Sequence, residues 1–292
     1  MPWVFVLIWS TGFIVARYGM AHAPPLGFLS LRYALSIACF GAWIAVARPA
    51  WPSSRRQGWH LAVVGVLIQA GYLGGVWSAV KAGIGAGTVA LLVGLQPVLT
   101  ALWLTRHPVA EKTSAAGRRQ WAGLALGLGG VMLVLWPKLG AGELTAWNFS
   151  LALLALLCIT TGTLYQKRFV GPCDVRTANF VQLAAALAVT LPLAFLESDP
   201  IVFHPQLIGA MAWSVVGLTL GGSSLLYLLI QRGAATEVSS LMYLVPPCTA
   251  LLAWMLFDEA FTPAMGLGLA LTAGGVALVT AQPHNRPSGG PT

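Results

Sequence analysis

The sequence predicts an all-α integral membrane protein: ten transmembrane helices arranged as two inverted five-helix repeats. Three observations lead there. First, 57% of residues are hydrophobic, 8% are charged and the mean hydropathy is +0.78, against about 25% charged in an average soluble domain. Second, apolar segments of the length that crosses a hydrocarbon core alternate with short polar or Pro/Gly-rich breaks. Third, GLALGLGGVMLV at Gly123 to Val134 and GLALTAGGVALV at Gly268 to Val279 are identical at nine of twelve positions.

Two further pairs hold this duplication in register. Pro97 in LQPVLTALW precedes Gly123 by 26 residues, and Pro246 in LVPPCTALLAW precedes Gly268 by 22. STGFIVAR at Ser10 to Arg17 aligns with TTGTLYQK at Thr160 to Lys167. The expected units are 1–142 and 143–282, followed by a polar tail, 283–292, read as disordered and cytoplasmic.

The expected spans are 2–20, 26–47, 60–80, 86–105, 120–137, 147–166, 177–196, 207–230, 236–257 and 263–281. The first lacks a basic leader and a small-residue cleavage site, so it is read as a retained span. No ten-residue alternation recurs, as a transmembrane barrel requires, so the spans are helices. Five spans per half is an odd number, so the second copy enters the membrane from the opposite side, the inverted-repeat arrangement used for alternating access.

Orientation follows from the basic residues. With the amino terminus inside, Arg48, Arg55, Arg56, Arg106, Lys112, Arg118, Arg119, Lys167, Arg168, Arg176, Arg232 and Arg286 fall on the cytoplasmic side, whereas Lys81 and Lys138 fall outside. Both termini are therefore expected in the cytoplasm of a bacterial-type inner membrane. This asymmetry, with contact to anionic membrane lipid, accounts for most of the net charge of +8. No basic reading module suggests nucleic acid as a partner. Cys39, Cys158 and Cys248 sit in spans and Cys173 in a cytoplasmic loop, so no extracellular disulfide is expected.

Polar groups inside a bilayer are costly, so each is a candidate for function or for helix contact. Arg32 lies in the second span without an acid nearby. It either grips a substrate carboxylate through forked hydrogen bonds or bonds backbone carbonyls and reaches toward the membrane surface. Arg17 reads as an interfacial anchor. The carboxylates Glu111, Glu143, Asp174, Glu197, Asp199, Glu237, Asp258 and Glu259 fall in loops or at span ends, as do all five His residues. Obligatory proton coupling is therefore not expected.

A cavity for a partly apolar solute needs aromatic and small hydroxyl residues. Tyr72 and Trp77 in the third span, Gln96 in the fourth, Thr219, Ser223 and Tyr227 at four-residue spacing in the eighth and Tyr243 in the ninth fit this need. Pro97 and Pro246 remove a backbone donor within a span and are expected to bend it. The small-residue stripes Gly123 and Gly127, and Gly266, Ala270 and Gly274, permit close helix contact within one chain or between two. No HExxH, Ser/His/Asp or phosphate-loop motif is present, so no enzyme, cofactor or metal is expected.

These motifs, WSTGFIVAR, LRYAL and GAATEVSSLMYLVPPCTALLAWMLFDE followed by GLALTAGGVALV, resemble the EamA family of the drug/metabolite transporter superfamily, most nearly its YddG-type amino-acid exporters. The resemblance implies a basket-like fold in which the first, third, fourth, sixth, eighth and ninth spans line a cavity. That places Trp9 and Ser10 among the site residues. It also implies export of neutral, hydrophobic or aromatic amino acids and similar metabolites. Another small metabolite or a lipophilic drug is the alternative cargo, and a membrane enzyme or receptor the distant one. The first half departs from the family at Thr105, Arg106 and His107, where a Gly-Glu pair is common, and Glu111 follows a few residues later.

Overall fold

The structure, a computed structural model, describes residues 2–106, 118–140, 143–222, 225, 244–259 and 261–280. Among these residues there is no β-strand. The first half comprises α1 (Pro2–Met20), α2 (Pro25–Ala47), α3 (Arg55–Val64), a π-helical segment π1 (Gly65–Leu73), α4 (Gly74–Lys81), α5 (Ala86–Val93), α6 (Gln96–Arg106) and α7 (Arg118–Gly140). The second comprises α8 (Ala146–Phe169), α9 (Val175–Ala194), α10 (Pro205–Ala212), a π-helical segment π2 (Trp213–Gly222), α11 (Val245–Phe257) and α12 (Pro263–Thr280).

Among the described residues, four helical stretches are long and apolar enough to cross a membrane: Pro25–Ala47, Arg55–Lys81, Ala146–Phe169 and Val175–Ala194. Val6–Met20, Ala86–Thr100, Trp121–Trp136, Val245–Phe257 and Pro263–Leu278 form shorter apolar helices. Large apolar side chains such as Trp136, Trp147, Val216 and Met255 are more than 60% exposed. Water penalises such a surface and lipid does not.

Local chemistry starts and stops the helices. Ser54 and Asp174 cap α3 and α9 by accepting from Gln57 N and Arg176 N. Thr145 and Asn148 form a reciprocal capping box on α8. Asn148 also donates to Ala82 O at 3.2 Å, which ties α8 to the end of α4. Asp258 stops α11 in the left-handed region, φ 52°.

The expected fourth span is broken. α5 ends at Val93 and α6 starts at Gln96, so Pro97 falls in the first turn of a new helix, where a missing N–H is harmless. Pro246 and Pro247 occupy the same place in α11. At Pro97 the expected bend is a break, with the proline starting a new helix, whereas residues 226–243, which lead up to Pro246, lie outside the described residues.

α7 packs along α12, α2 along α9, α1 against α11 and π2, and α8 against α5 and π1. The α7–α12 contact is made by backbone. A Cβ on Gly130 would meet Gly268 O at 2.5 Å, and one on Gly275 would meet Gly123 O at 2.5 Å. Thr272 Oγ1 donates to Gly268 O (2.8 Å) and reaches Gly127 O (3.5 Å). The expected stripe on α12 is corrected: Gly266 and Gly274 face away from α7, and Gly268, Thr272 and Gly275 make the seam. Residues 268 and 275 are seven apart and share a helix face, whereas 266 and 274 lie on another.

Candidate functional site

A cavity of about 100 Å³ lies where broken and proline-started helices meet. Trp9 and Phe13 of α1, Tyr72 of π1, and Val93 and Gly94 at the end of α5 form part of its wall. Gln96 and Pro97 of α6, Ile159 of α8, Pro246 and Pro247 of α11, and Thr272 and Val276 of α12 also line it. The two helix breaks touch, since a Cβ on Gly94 would meet Pro246 Cγ at 2.9 Å. Gln96 Nε2 donates to Thr163 Oγ1 (3.1 Å), holding the start of α6 against α8.

Arg32 stands on α2, two helical turns from that helix's start, and is 7% exposed. Its Nε and Nη2 both donate to Thr219 Oγ1, at 3.3 and 3.1 Å, and its guanidinium lies 6.0 Å from the centre of the Trp77 ring. Thr219 Oγ1 in turn donates to Ser214 O five residues back, the spacing that π2 provides. Among the described residues no carboxylate pairs with Arg32.

The structure thus brings together Trp9, Tyr72, Gln96, Pro97 and Pro246 around the cavity, whereas Arg32 and Thr219 bond to each other and are absent from its wall. Trp77 is fully buried and packs on Phe28, ring centres 4.6 Å apart, so it reaches the site only through the Arg32 guanidinium. Ser10 is fully buried and is absent from the cavity wall. Its Oγ donates to Val6 O (2.8 Å) and Val245 O (3.4 Å), and its carbonyl accepts from Thr249 (3.4 Å), so it fastens α1 to α11. Ser223, Tyr227 and Tyr243 lie outside the described residues, as do Glu111, Glu237 and the 283–292 tail.

Sequence reasoning missed Phe13, Ile159 and Thr272 on the cavity wall. Thr272, a hydroxyl in the middle of an apolar span, carried a usable signal; Phe13 and Ile159 are apolar residues among many. It also missed π1 and π2. They begin at residues 65 and 213, an offset of about 150 that matches the sequence repeat, and π-helical turns concentrate at functional sites.

One end of the helix assembly is tied shut between the two halves. Glu259 Oε1 accepts from Arg17 Nη1 (2.9 Å) and from Ala86 N at the start of α5 (3.0 Å). Glu197 accepts from Leu26 N (3.0 Å) and Gly27 N (2.8 Å) at the start of α2. Lys81 Nζ meets Asp199 Oδ2 at 3.1 Å and donates to Met20 O at 3.1 Å. Each carboxylate belongs to the second half and each partner to the first.

A helical protein that exposes apolar surface across many helices is a multi-pass membrane protein, and this one keeps a small cavity and a buried cation among those helices. The chain belongs to the EamA-like transporter family, whose model matches residues 3–136 and again 146–281. It is therefore a membrane transporter. Its relatives include a "probable amino-acid metabolite efflux pump" of Salmonella typhimurium strain LT2, 25% identical over 93% of this chain and 90% of that protein. An uncharacterized transporter of Archaeoglobus fulgidus is 23% identical over 96% of each chain. An uncharacterized inner membrane transporter of Escherichia coli strain K12 is 23% identical, covering 94% of this chain and 87% of its own. A solved crystal structure matches with a TM-score of 0.65 at 22% identity, over 96% of this chain and 95% of that one.

Proposed function

We propose that this protein is an inner-membrane secondary transporter that exports neutral, hydrophobic or aromatic amino acids and similar metabolites by alternating access. The observation that carries this reading is Arg32. A guanidinium buried in an apolar helix assembly, with one hydroxyl as its hydrogen-bond acceptor among the described residues, stands in costly surroundings that a substrate carboxylate relieves. Trp9, Phe13 and Tyr72 supply an aromatic wall for the apolar part of the same molecule.

The two matches to one family model, the paired π segments and the packing partners support two related halves, 1–142 and 143–282. α2 meets its counterpart α9, α7 meets α12, and the contacts of α1 with α11 and π2 are echoed by those of α8 with α5 and π1. In this reading ten spans form two inverted five-helix repeats with both termini cytoplasmic. The end closed by Arg17, Glu259, Glu197 and Lys81 then faces outward. A cavity of about 100 Å³ is below the roughly 300–1,000 Å³ of ordinary ligand pockets. Loading therefore requires the helices around Gly94 and Pro246 to part, and release outward requires the cross-half ties to break.

The test is efflux from cells preloaded with labelled phenylalanine, leucine, alanine or lysine, with and without the protein. Faster loss of phenylalanine and leucine than of lysine supports the reading. Equal loss of all four with and without the protein contradicts it and favours a different metabolite or a lipophilic drug as cargo.

A further inference from the structure

We infer, building on the transport reading above, that the Arg32 site selects organic monoanions, carboxylates without a free ammonium group, over zwitterionic amino acids.

The site has unspent capacity for an anion. Nε and Nη2 of Arg32 converge on one oxygen, Thr219 Oγ1, and among the described residues its other N–H groups make no hydrogen bond. Ser36, one turn further along the same face of α2, is fully buried, and its Oγ has no hydrogen-bond partner. Ser214, whose carbonyl holds Thr219, is also fully buried with an unpartnered Oγ. Buried polar atoms are rarely left in this state unless a ligand or water completes them. A buried guanidinium with N–H groups to spare, on elements that also carry two unpartnered buried hydroxyls, has donors for a carboxylate, which accepts about four hydrogen bonds.

Among the described residues no carboxylate pairs with Arg32 or lines the cavity to receive a cation. The described carboxylates are all committed elsewhere or at helix ends: Glu143 to Lys138, Asp174 to Arg176, Asp199 to Lys81, Glu259 to Arg17, Glu197 to the start of α2, and Asp258 at the end of α11. A monoanion beside Arg32 brings the buried charge to zero. A zwitterion leaves it at one positive charge, with no described carboxylate to pair its ammonium. In a medium of low dielectric that difference favours the monoanion.

The test is competition against labelled phenylalanine in liposomes containing the purified full chain, with labelled N-acetylphenylalanine flux run in parallel. Unlabelled N-acetylphenylalanine is expected to inhibit at a concentration at least about tenfold lower than unlabelled phenylalanine, equivalent to about 1.4 kcal/mol. Phenylalaninamide, which lacks the carboxylate, is expected not to inhibit. Phenylalanine competing as well as its N-acetyl form, or inhibition by the amide, overturns the inference while leaving transport intact. Absence of flux for both labelled compounds overturns the transport reading and the inference with it. Arg32→Gln is expected to bring the ratio close to one; if that variant does not fold, the ratio in the unaltered protein decides alone.

Discussion

Arg17 Nη1 and Glu259 Oε1 lie 2.9 Å apart and join the end of α1 to the end of α11. The same carboxylate oxygen caps the first N–H of α5, and the guanidinium sits 5.2 Å from the Phe257 ring centre. Three elements thus converge on one acid that is 13% exposed. The charge-assisted bonds contribute about 1–2 kcal/mol to this closed arrangement, enough to bias an open–closed equilibrium by roughly 5- to 30-fold.

Glu259→Gln is therefore expected to open this end. With Val93→Cys in a background without the native cysteines, a membrane-impermeant thiol reagent should label faster by about that factor when Gln replaces Glu259. An unchanged rate would show that the Arg17–Glu259 contact does not hold the end closed.

Arg32 and Thr219 are expected to affect substrate affinity. Arg32→Gln should raise KM by roughly 30-fold, the cost of losing a buried charged partner at the low end of about 2–5 kcal/mol. Thr219→Val, which removes one hydrogen bond worth about 1 kcal/mol, should raise it about fivefold. Initial rates of flux against substrate concentration measure both.

The α7–α12 seam gives a stability prediction with a built-in control. Gly275→Val drives a side chain into Gly123 O and Gly127 N, at 2.5 and 2.7 Å even for the Cβ, whereas Gly274 has nothing within 4 Å. Gly275→Val should cost about 1–3 kcal/mol or prevent folding. Gly274→Val, a neighbouring glycine-to-valine change with open space around its Cβ, should cost far less. Thermal unfolding in detergent distinguishes them.

At the α8–α9 corner, the Arg176 side chain holds the Asp174 carboxyl below its ordinary value. A carboxyl with a depressed folded pKa contributes stability that is fully present above the ordinary carboxylate range and lost as pH falls through the depressed value. Asp174→Ala should therefore cost about 1 kcal/mol near neutral pH. The difference should be constant from about pH 8 to 5 and shrink below about pH 4. Melting curves of the two proteins across this range provide the check.

Much of the fold was legible because lipid imposes a simple rule. Breaks between apolar segments placed α1, α2, α8, α9 and α12 within about three residues of their ends, since span ends coincide with charged or proline residues. The duplicated motifs at Gly123 and Gly268 found the seam but not its face, because small residues on both sides of α12 fit the same spacing. Arg32 and Thr219 were both legible as polar groups inside spans, yet their contact was not, because it depends on the extra residue per turn that π2 inserts. The Arg17–Glu259 tie was hidden for a different reason: two residues at span ends, 242 positions apart, carry no local sign of each other.

The most direct measurement is flux of labelled neutral amino acids and their N-acetyl derivatives into liposomes containing the purified protein, beside protein-free liposomes and the Arg32→Gln variant. Saturable flux of hydrophobic and aromatic compounds is expected, requiring the protein and weakening about 30-fold in KM without the Arg32 guanidinium. Flux no greater than in protein-free liposomes for every compound would contradict it.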